Sequence, residues 1–375
     1  MARASRTTSP RKVAILGTRG YPSFYGGFET AIRHLAPDLA DLGWDVTVYG
    51  RDKAVADAQA GAADPRIHRR YTPGIESKSL STLSYGLTSA LSAMWHKPDV
   101  ALIMNVANGF WIPLLRMRGI PTLVNVDGIE WERAKWGRAA KAMFKAGAWF
   151  VAKFANELVF DAHAIGARWK KDYGRDGVFI PYGGEPSELL PVTDGLEHRS
   201  FVLVVARFVP ENSIVEFVEA ASELSKKWPV VIVGSSGYGG ELDERVQALA
   251  DRSKNVQWLG HVSDDKRLHS LWQHCGVYFH GHSVGGTNPA LVQAMALGAP
   301  TVARDTIYNR EVLGPQGKFF APDPSEIVRV IDDVMTSDAN KEELSQTALR
   351  RAADVYTWRK VNDSYAAALE RLADR

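Results

Sequence analysis

Apolar residues in this chain fall into short blocks that alternate with longer stretches of helical periodicity, starting at Val13. The run VAILG reads as a buried strand, a turn-rich loop follows (TRGYPSFYGG), and an amphipathic stretch from Phe28 to Leu42 ends at Gly43. A second apolar run, VTVYG, comes next. Strand, helix, strand is the repeating unit of a parallel sheet, and Gly43 suits a helix C-cap. Further strands are expected at Val100–Met104, Thr122–Val126 and Glu157–Phe160, with helical segments between them. The first half therefore reads as a Rossmann-like α/β sandwich.

The pattern lapses in PYGGEPSELLPVTDGLEHRS, where Gly, Pro and Ser gather as in an interdomain linker. It then restarts as FVLVVA, VVIVG, VQWLG, VYFHG and PTVA, each followed by a helical stretch. That is a second open parallel sheet. A chain of 375 residues exceeds what one core usually organises. The expected division is a disordered basic tail at 1–12, an α/β domain at 13–190, a second at 198–350 and a closing helical segment at 351–375. In open α/β sheets ligands bind beyond the carboxyl ends of the strands, so two doubly wound sheets facing a cleft direct attention to those loops.

After the first strand come Gly17-Thr18-Arg19-Gly20 and then Gly26-Gly27-Phe28-Glu29, which open a helix. Glycine lets a ligand approach the backbone, and helix-start N–H groups attract anionic oxygen; a purely structural turn is the other reading. A dinucleotide fold would place Gly-x-Gly-x-x-Gly here and an acid at the end of the next strand, but that strand ends Tyr49-Gly50-Arg51. In the second half FVLVVA delivers Arg207 just before a helix. Its guanidinium is placed to clamp a diphosphate, or to pair with Glu211 on the surface. The strand VYFH leads into Gly285, Gly286, Thr287 and Asn288-Pro289, a glycine loop at a helix start where phosphate oxygens would be held.

Composition narrows the partners. Charged residues make up 23% and the formal net charge is +2, so nothing implies nucleic acid. The single cysteine, Cys275, lies in an apolar run and is expected to be buried and inert, in a reducing cytoplasm. The N-terminal MARASRTTSPRK is basic but lacks the apolar core of a signal peptide, and no stretch approaches the ~20 apolar residues of a membrane span. No Asp-x-Asp occurs, and His280 and His282 stand without a nearby carboxylate, so no metal is expected. Helix dipole and arginine must then do a cation's work. From Trp131 to Lys153 six cations face one acid among several aromatics. That composition suits a helix on an anionic membrane surface or an ordinary helix packed on the sheet.

The ordered motifs KVAILGTRGYPSFYGGFET, NVDGIEWERAKWG, ARFVPEN, HSVGGTNPALVQAMALGAP and NREVLG span nearly the whole chain. In them the chain resembles the family-4 retaining glycosyltransferases, and among these a bacterial rhamnosyltransferase-like group. The resemblance implies the GT-B architecture, two Rossmann-like doubly wound domains facing a cleft. It also implies a nucleotide-sugar donor held mainly by the second domain and an acceptor held mainly by the first. Gly26 and Gly27 resemble the glycine loop facing the donor diphosphate, and Arg207 the clamping arginine. Where the family has a lysine five residues later, this chain has Asn212. Where it has two glutamates eight apart, for sugar hydroxyls and for ribose, this chain has Gly285 and Gln293.

An amide suits a vicinal diol less than a carboxylate does, and deoxyribose presents no such diol, so a dTDP-sugar such as dTDP-rhamnose is the expected donor. Asp127 follows a first-domain strand where relatives carry a histidine near the reacting sugar. It reads either as a partner of acceptor hydroxyl or sugar, or as a turn residue before Gly128; Glu130 shares this pair of readings. Arg304, Asn309, Arg310 and Glu311 resemble a loop closing over donor or phosphate. The implied chemistry is metal-independent, retaining hexosyl transfer to a glycan or polyprenyl-diphosphate-linked acceptor in cell-surface polysaccharide synthesis. It would run in the cytoplasm or at the inner face of the plasma membrane. A GT-B epimerase and a non-catalytic nucleotide-sugar binding protein are the alternatives.

Overall fold

The computed structural model describes residues 10–23, 26–51, 61, 63–75, 81–133, 136–193, 195–237 and 239–375. Residues 1–9 of the expected tail and Lys135 of the basic stretch lie outside them. The chain divides into two compact units, Met1–Ile180 with Val361–Arg375, and Pro181–Lys360.

In the first unit the described strands run β1 Lys12–Leu16, β2 Asp45–Gly50, β3 His68–Tyr71, β4 Val100–Met104, β5 Thr122–Asn125, β6 Glu157–Phe160 and β7 Val178–Phe179. They form one parallel sheet in the order β3-β2-β1-β4-β5-β6-β7. β4 (VALIM) is buried at every residue, as a strand covered on both faces must be. The helices are α1 Gly27–Asp41, α2 Ser81–His96, α3 Ile112–Met117, α4 Arg138–Phe154 and α5 His163–Tyr173. α1 buries Ala31, Ile32, Leu35, Ala36 and Leu39, the spacing of one helical stripe. Right-handed crossovers put α1 on one face of the sheet and α2, α3 and α4, which pack in series, on the other.

The second unit holds β8 Val202–Val205, β9 Val230–Val233, β10 Val256–Gly260, β11 Val277–His280, β12 Thr301–Arg304 and β13 Lys318–Phe320. They form a parallel sheet ordered β10-β9-β8-β11-β12-β13. Between them run α6 Ile214–Leu224, α7 Glu241–Arg252, α8 Asp265–His274, α9 Pro289–Ala296, α10 Ile307–Leu313, α11 Pro324–Met335 and α12 Asp338–Val355. A last helix, α13 Trp358–Ala373, carries the chain back into the first unit, where Asn362 donates to Asp38 of α1 at 2.5 Å. In each sheet the strand order reverses once, between β1 and β4 and between β8 and β11. Loops diverge at such switch points and leave room for a ligand.

The helical part of the basic aromatic stretch packs one face inward, burying Phe144, Gly147, Ala148 and Val151, as in the second of the two readings of its composition. Only Arg138–Phe154 is α-helical, after a short 3-10 turn at Glu130–Glu132. Trp131 is buried edge-on against Trp169 and Tyr173, and Phe144 is buried against Trp136. The aromatic residues here divide between core and surface, and Gly137, in extended conformation, is the N-cap from which the helix starts.

Candidate functional site

In the second unit the switch point is lined by the loop after β8 (Arg207–Ser213) and the loop after β11 (Gly281–Asn288). Asn212 ties them together: its Nδ2 donates to the Arg207 carbonyl at 2.8 Å and its Oδ1 meets His282 Nδ1 at 2.6 Å. Ser283 donates through N and Oγ to the Glu211 carbonyl at 2.9 and 3.0 Å. The loops approach so closely at Gly281 that a Cβ there would collide with the Asn212 carbonyl. β12, on the far side of β11, joins the network. Arg304 Nη1 donates to Ser213 Oγ at 3.0 Å, Ser213 Oγ donates to the Gly281 carbonyl at 3.0 Å, and Asn309 Nδ2 donates to the carbonyls of His282 and Arg304 at 2.8 Å each.

This network leaves positive charge unneutralised. Arg207 is exposed, and among the described residues its side chain makes no hydrogen bond or ion pair. The pairing with Glu211 considered from the sequence does not form: the Glu211 carboxylate is buried with neither oxygen hydrogen-bonded. Arg304 bonds only the neutral Ser213 hydroxyl. Two guanidinium groups thus end the strands on either side of β11. The glycine loop follows β11 itself, and the N–H groups of Gly285 and Gly286 have no protein acceptor among the described residues. Asn288 caps α9 by accepting from Ala290 N at 3.0 Å, Pro289 takes the first helical position, and Thr287 is buried beneath the loop. Cations, open N–H groups and a helix start on three adjacent strands form a place for a multiply charged anion.

Gln293 lies further along α9. Its Oε1 accepts from Glu185 N at 2.9 Å and its Nε2 donates to the Glu185 carbonyl at 2.8 Å, so both ends of the amide hold one backbone segment. A carboxylate could accept the first bond but not donate the second. Behind the site, burial holds His280 neutral, with its pKa down to about 3, and pushes the Cys275 thiol up to about 12. No three His, Cys, Asp or Glu side chains come together as a metal-binding group among the described residues.

In the first unit the corresponding ends of β1, β4 and β5 have a different character. Glu29, buried in the first turn of α1, accepts from Arg19 N at 3.1 Å and reaches back across Gly26, whose φ of 125° admits no side chain without strain. A carboxylate of the chain itself therefore occupies the helix start where Gly26 and Gly27 lie. At the ends of β4 and β5 stand Asn105 and Asp127, non-glycine residues at φ 71° and 62°, with Asn105 Nδ2 donating to Asp127 Oδ2 at 3.2 Å. Asn125 Oδ1 accepts from Asp127 N at 2.9 Å, and Asn125 Nδ2 donates to Tyr365 Oη at 2.7 Å. Two left-handed residues side by side store backbone strain of about 1–3 kcal/mol each, the kind of outlier that gathers at functional positions. Glu130 is buried, ion-paired to Arg133 at 2.5 Å and bonded by Trp136 Nε1 at 2.9 Å; it fastens the loop that follows Asp127.

The sequence named Asp127, Arg207 and, as part of the helix start, Glu29, but missed Asn105 and the bonds of Glu29 to Arg19 N and of Arg304 to Ser213. Asn105 directly after a strand, in a residue type that tolerates left-handed backbone, was the available signal.

Residues 192–351 match the family described as Glycosyl transferases group 1, and residues 26–183 match the Glycosyl transferase 4-like domain. An MMP α-(1→4)-mannosyltransferase from Mycolicibacterium hassiacum is 22% identical over 419 aligned positions, covering 97% of this chain and 99% of that protein. Among solved structures, sucrose-phosphate synthase from Thermosynechococcus elongatus superposes with a TM-score of 0.80 at 17% identity, covering 96% of this chain and 99% of the other. HepE from Anabaena, solved in complex with UDP-glucose, superposes with a TM-score of 0.74 at 14% identity over 96% and 99%. Both family matches fall on the two sheets in chain order, and these folds are shared over nearly their full length. The chain belongs to the family-4-like glycosyltransferases of the GT-B fold.

Proposed function

We propose that this glycosyltransferase retains anomeric configuration, needs no metal, and takes L-rhamnose from dTDP-rhamnose. Its acceptor is a glycan or a polyprenyl-diphosphate-linked precursor of a cell-surface polysaccharide at the inner face of the membrane. The observation that carries the reading is the pair of guanidinium groups without carboxylate partners, Arg207 and Arg304, flanking the open N–H groups of Gly285 and Gly286. A diphosphate supplies the oxygens these donors lack, and the two arginines offset the charge that grows on it as the sugar leaves. With cations fixed in the fold, a divalent ion is not required.

Donor recognition falls to the second unit. Gly285 provides no carboxylate for sugar hydroxyls. Gln293 is engaged with Glu185, so position 293 offers no charged acceptor to a ribose diol, which supports a deoxyribose donor. The mannosyltransferase relative and the UDP-glucose complex of HepE support nucleotide-sugar chemistry in general. Acceptor recognition falls to the first unit, where Asp127, oriented by Asn105, accepts a hydrogen bond from the attacking hydroxyl. In the transfer step the bond from anomeric carbon to diphosphate oxygen breaks, and the acceptor oxygen bonds that carbon on the same face. The hydroxyl proton passes to the departing phosphate oxygen.

The test is a transfer assay with dTDP-rhamnose and a short-chain polyprenyl-diphosphate disaccharide in the presence of EDTA, with the product anomer read by NMR. Acceptor-dependent release of dTDP and a retained anomer are expected. Donor isomerisation without acceptor would identify an epimerase, and donor binding without turnover would identify a binding module.

A further inference from the structure

We infer that the outer face of the α2–α3–α4 layer in the first unit docks on an anionic lipid bilayer. This rests on the reading of a lipid-linked acceptor and gives that reading a location. Four large apolar side chains stand out from the layer: Trp95 is 85% exposed, Met117 71%, Leu91 49% and Trp149 47%. Cations surround them. Arg116 and Arg118 flank Met117, Lys97 follows Trp95, and α4 carries Arg138, Lys141, Lys145 and Lys153 with no acid along its length. α2 has no Asp, Glu, Lys or Arg between Ser81 and His96.

The carboxyl ends of the three helices are tied together. Arg118 Nε donates to the Met94 carbonyl at 3.4 Å, Arg116 Nη1 donates to the Phe154 carbonyl at 3.1 Å, and Lys153 Nζ lies 4.9 Å from the Trp149 ring centroid. Among the described residues Arg116, Arg118, Lys145 and Lys153 pair with no carboxylate. The acids nearest in sequence are already held: Asp99 accepts from Lys12 N at 2.7 Å, and Glu157 pairs with Arg371 at 2.8 Å.

The opposite face of the same sheet shows what a water-facing layer of this protein looks like. α1 and the part of α13 in this unit mix both signs there, with Asp38, Asp41, Asp363 and Glu370 among Arg33 and Arg371. An acid-free layer with protruding tryptophans instead matches a headgroup region, where indole rings lie at the interface and Lys and Arg meet anionic lipid. The apolar groups are separated by cations across three convex helices and form no continuous dry patch for a protein core. At about 1.5 Å per residue, α4 runs roughly 25 Å, from the loop beyond Asp127 to the amino ends of β5 and β6. Most of the protruding groups gather at the carboxyl ends of the helices, and Arg138 and Lys141 at the amino end of α4 extend the cationic strip towards the end of the sheet where Asp127 lies.

The experiment is co-sedimentation of the whole protein with phosphatidylcholine vesicles, with and without phosphatidylglycerol. Binding to the anionic vesicles alone, weakened by salt, is expected. The Trp95→Ala/Trp149→Ala variant should bind about tenfold more weakly. The Arg118→Glu/Lys145→Glu variant should lose binding. Both variants should keep wild-type stabilisation by dTDP, since neither touches the donor loops. Equal binding to neutral vesicles, no binding, or indifference to both variants overturns the inference, as does capture on immobilised polyglutamate without vesicle binding. Loss of dTDP stabilisation in the wild type, with vesicle binding intact, would strike the donor reading and leave the docking surface standing.

Discussion

The strand-end loops of the two units share a topology and differ in how their charges are satisfied. Around β1, β4 and β5 the charged groups already have partners: Glu29 bonds Arg19 N, Glu130 pairs with Arg133, and Asp127 accepts from Asn105. Around β8, β11 and β12 the loops are cross-linked through neutral amides and hydroxyls, while Arg207 and Arg304 have no acid. One switch point keeps its carboxylates held and is suited to hydroxyl groups. The other keeps its cations open and is suited to a diphosphate. The lesson is that similar glycine loops after similar strands present different charge according to whether the chain supplies its own counter-charge.

Removing the open charge should break this contrast most severely. Arg207→Ala is expected to lower turnover by on the order of 10², as loss of a preorganised electrostatic donor does, with the fold intact by circular dichroism. Asp127→Asn should act on the other side of the comparison. Turnover is expected to fall about tenfold while stabilisation by dTDP stays at the wild-type value, read by thermal shift. Equal loss of both signals would make Asp127 part of the fold and not of acceptor recognition.

Gln293→Glu sharpens the donor assignment. It removes the bond to the Glu185 carbonyl and sets two acceptors against each other, at a cost of about 1–3 kcal/mol in unfolding free energy. It should also raise affinity for UDP relative to dTDP. The remaining prediction concerns pH and the fold rather than the donor. His280 stays neutral in the folded chain down to about pH 3, whereas an unfolded histidine takes a proton below about 6.5. The unfolded state therefore binds more protons across that window. Stability should fall as pH drops from about 6.5 towards 3, by at most about 1.4 kcal/mol per pH unit from this residue, and be insensitive to it above. His280→Asn should flatten that part of a urea-unfolding series.

Ten of the thirteen described strands were legible in the sequence as short apolar runs bounded by glycine or a polar turn, with helices such as the stripe Ile32, Leu35, Ala36 and Leu39 between them, whereas β3 (HRRY), β7 and β13 at the sheet edges are too polar or too short to give that signal. Arg207 and the glycine loop were legible for the same reason, since they sit directly beyond strands. What the pattern could not convey is pairing. Arg207 and Glu211 are close in sequence, yet the tight turn at Pro210–Asn212 buries the acid and leaves the arginine outside. Gln293 reads as a helix-surface residue until the fold brings Glu185 onto it. Composition left the aromatic stretch from Trp131 open between a membrane-surface helix and one packed on the sheet, because it does not say which aromatic residues are buried.

The central claim is that the second unit holds a diphosphate with fixed arginines and backbone N–H groups. Isothermal titration of the protein with dTDP in EDTA, beside Arg207→Ala and Arg304→Met, tests it most directly. Binding by the wild type, weakened about tenfold or more in each variant, is the expected result, a change of about 1.4 kcal/mol or more. Binding that appears only when a divalent ion is restored, or that is unchanged in both variants, would contradict the account.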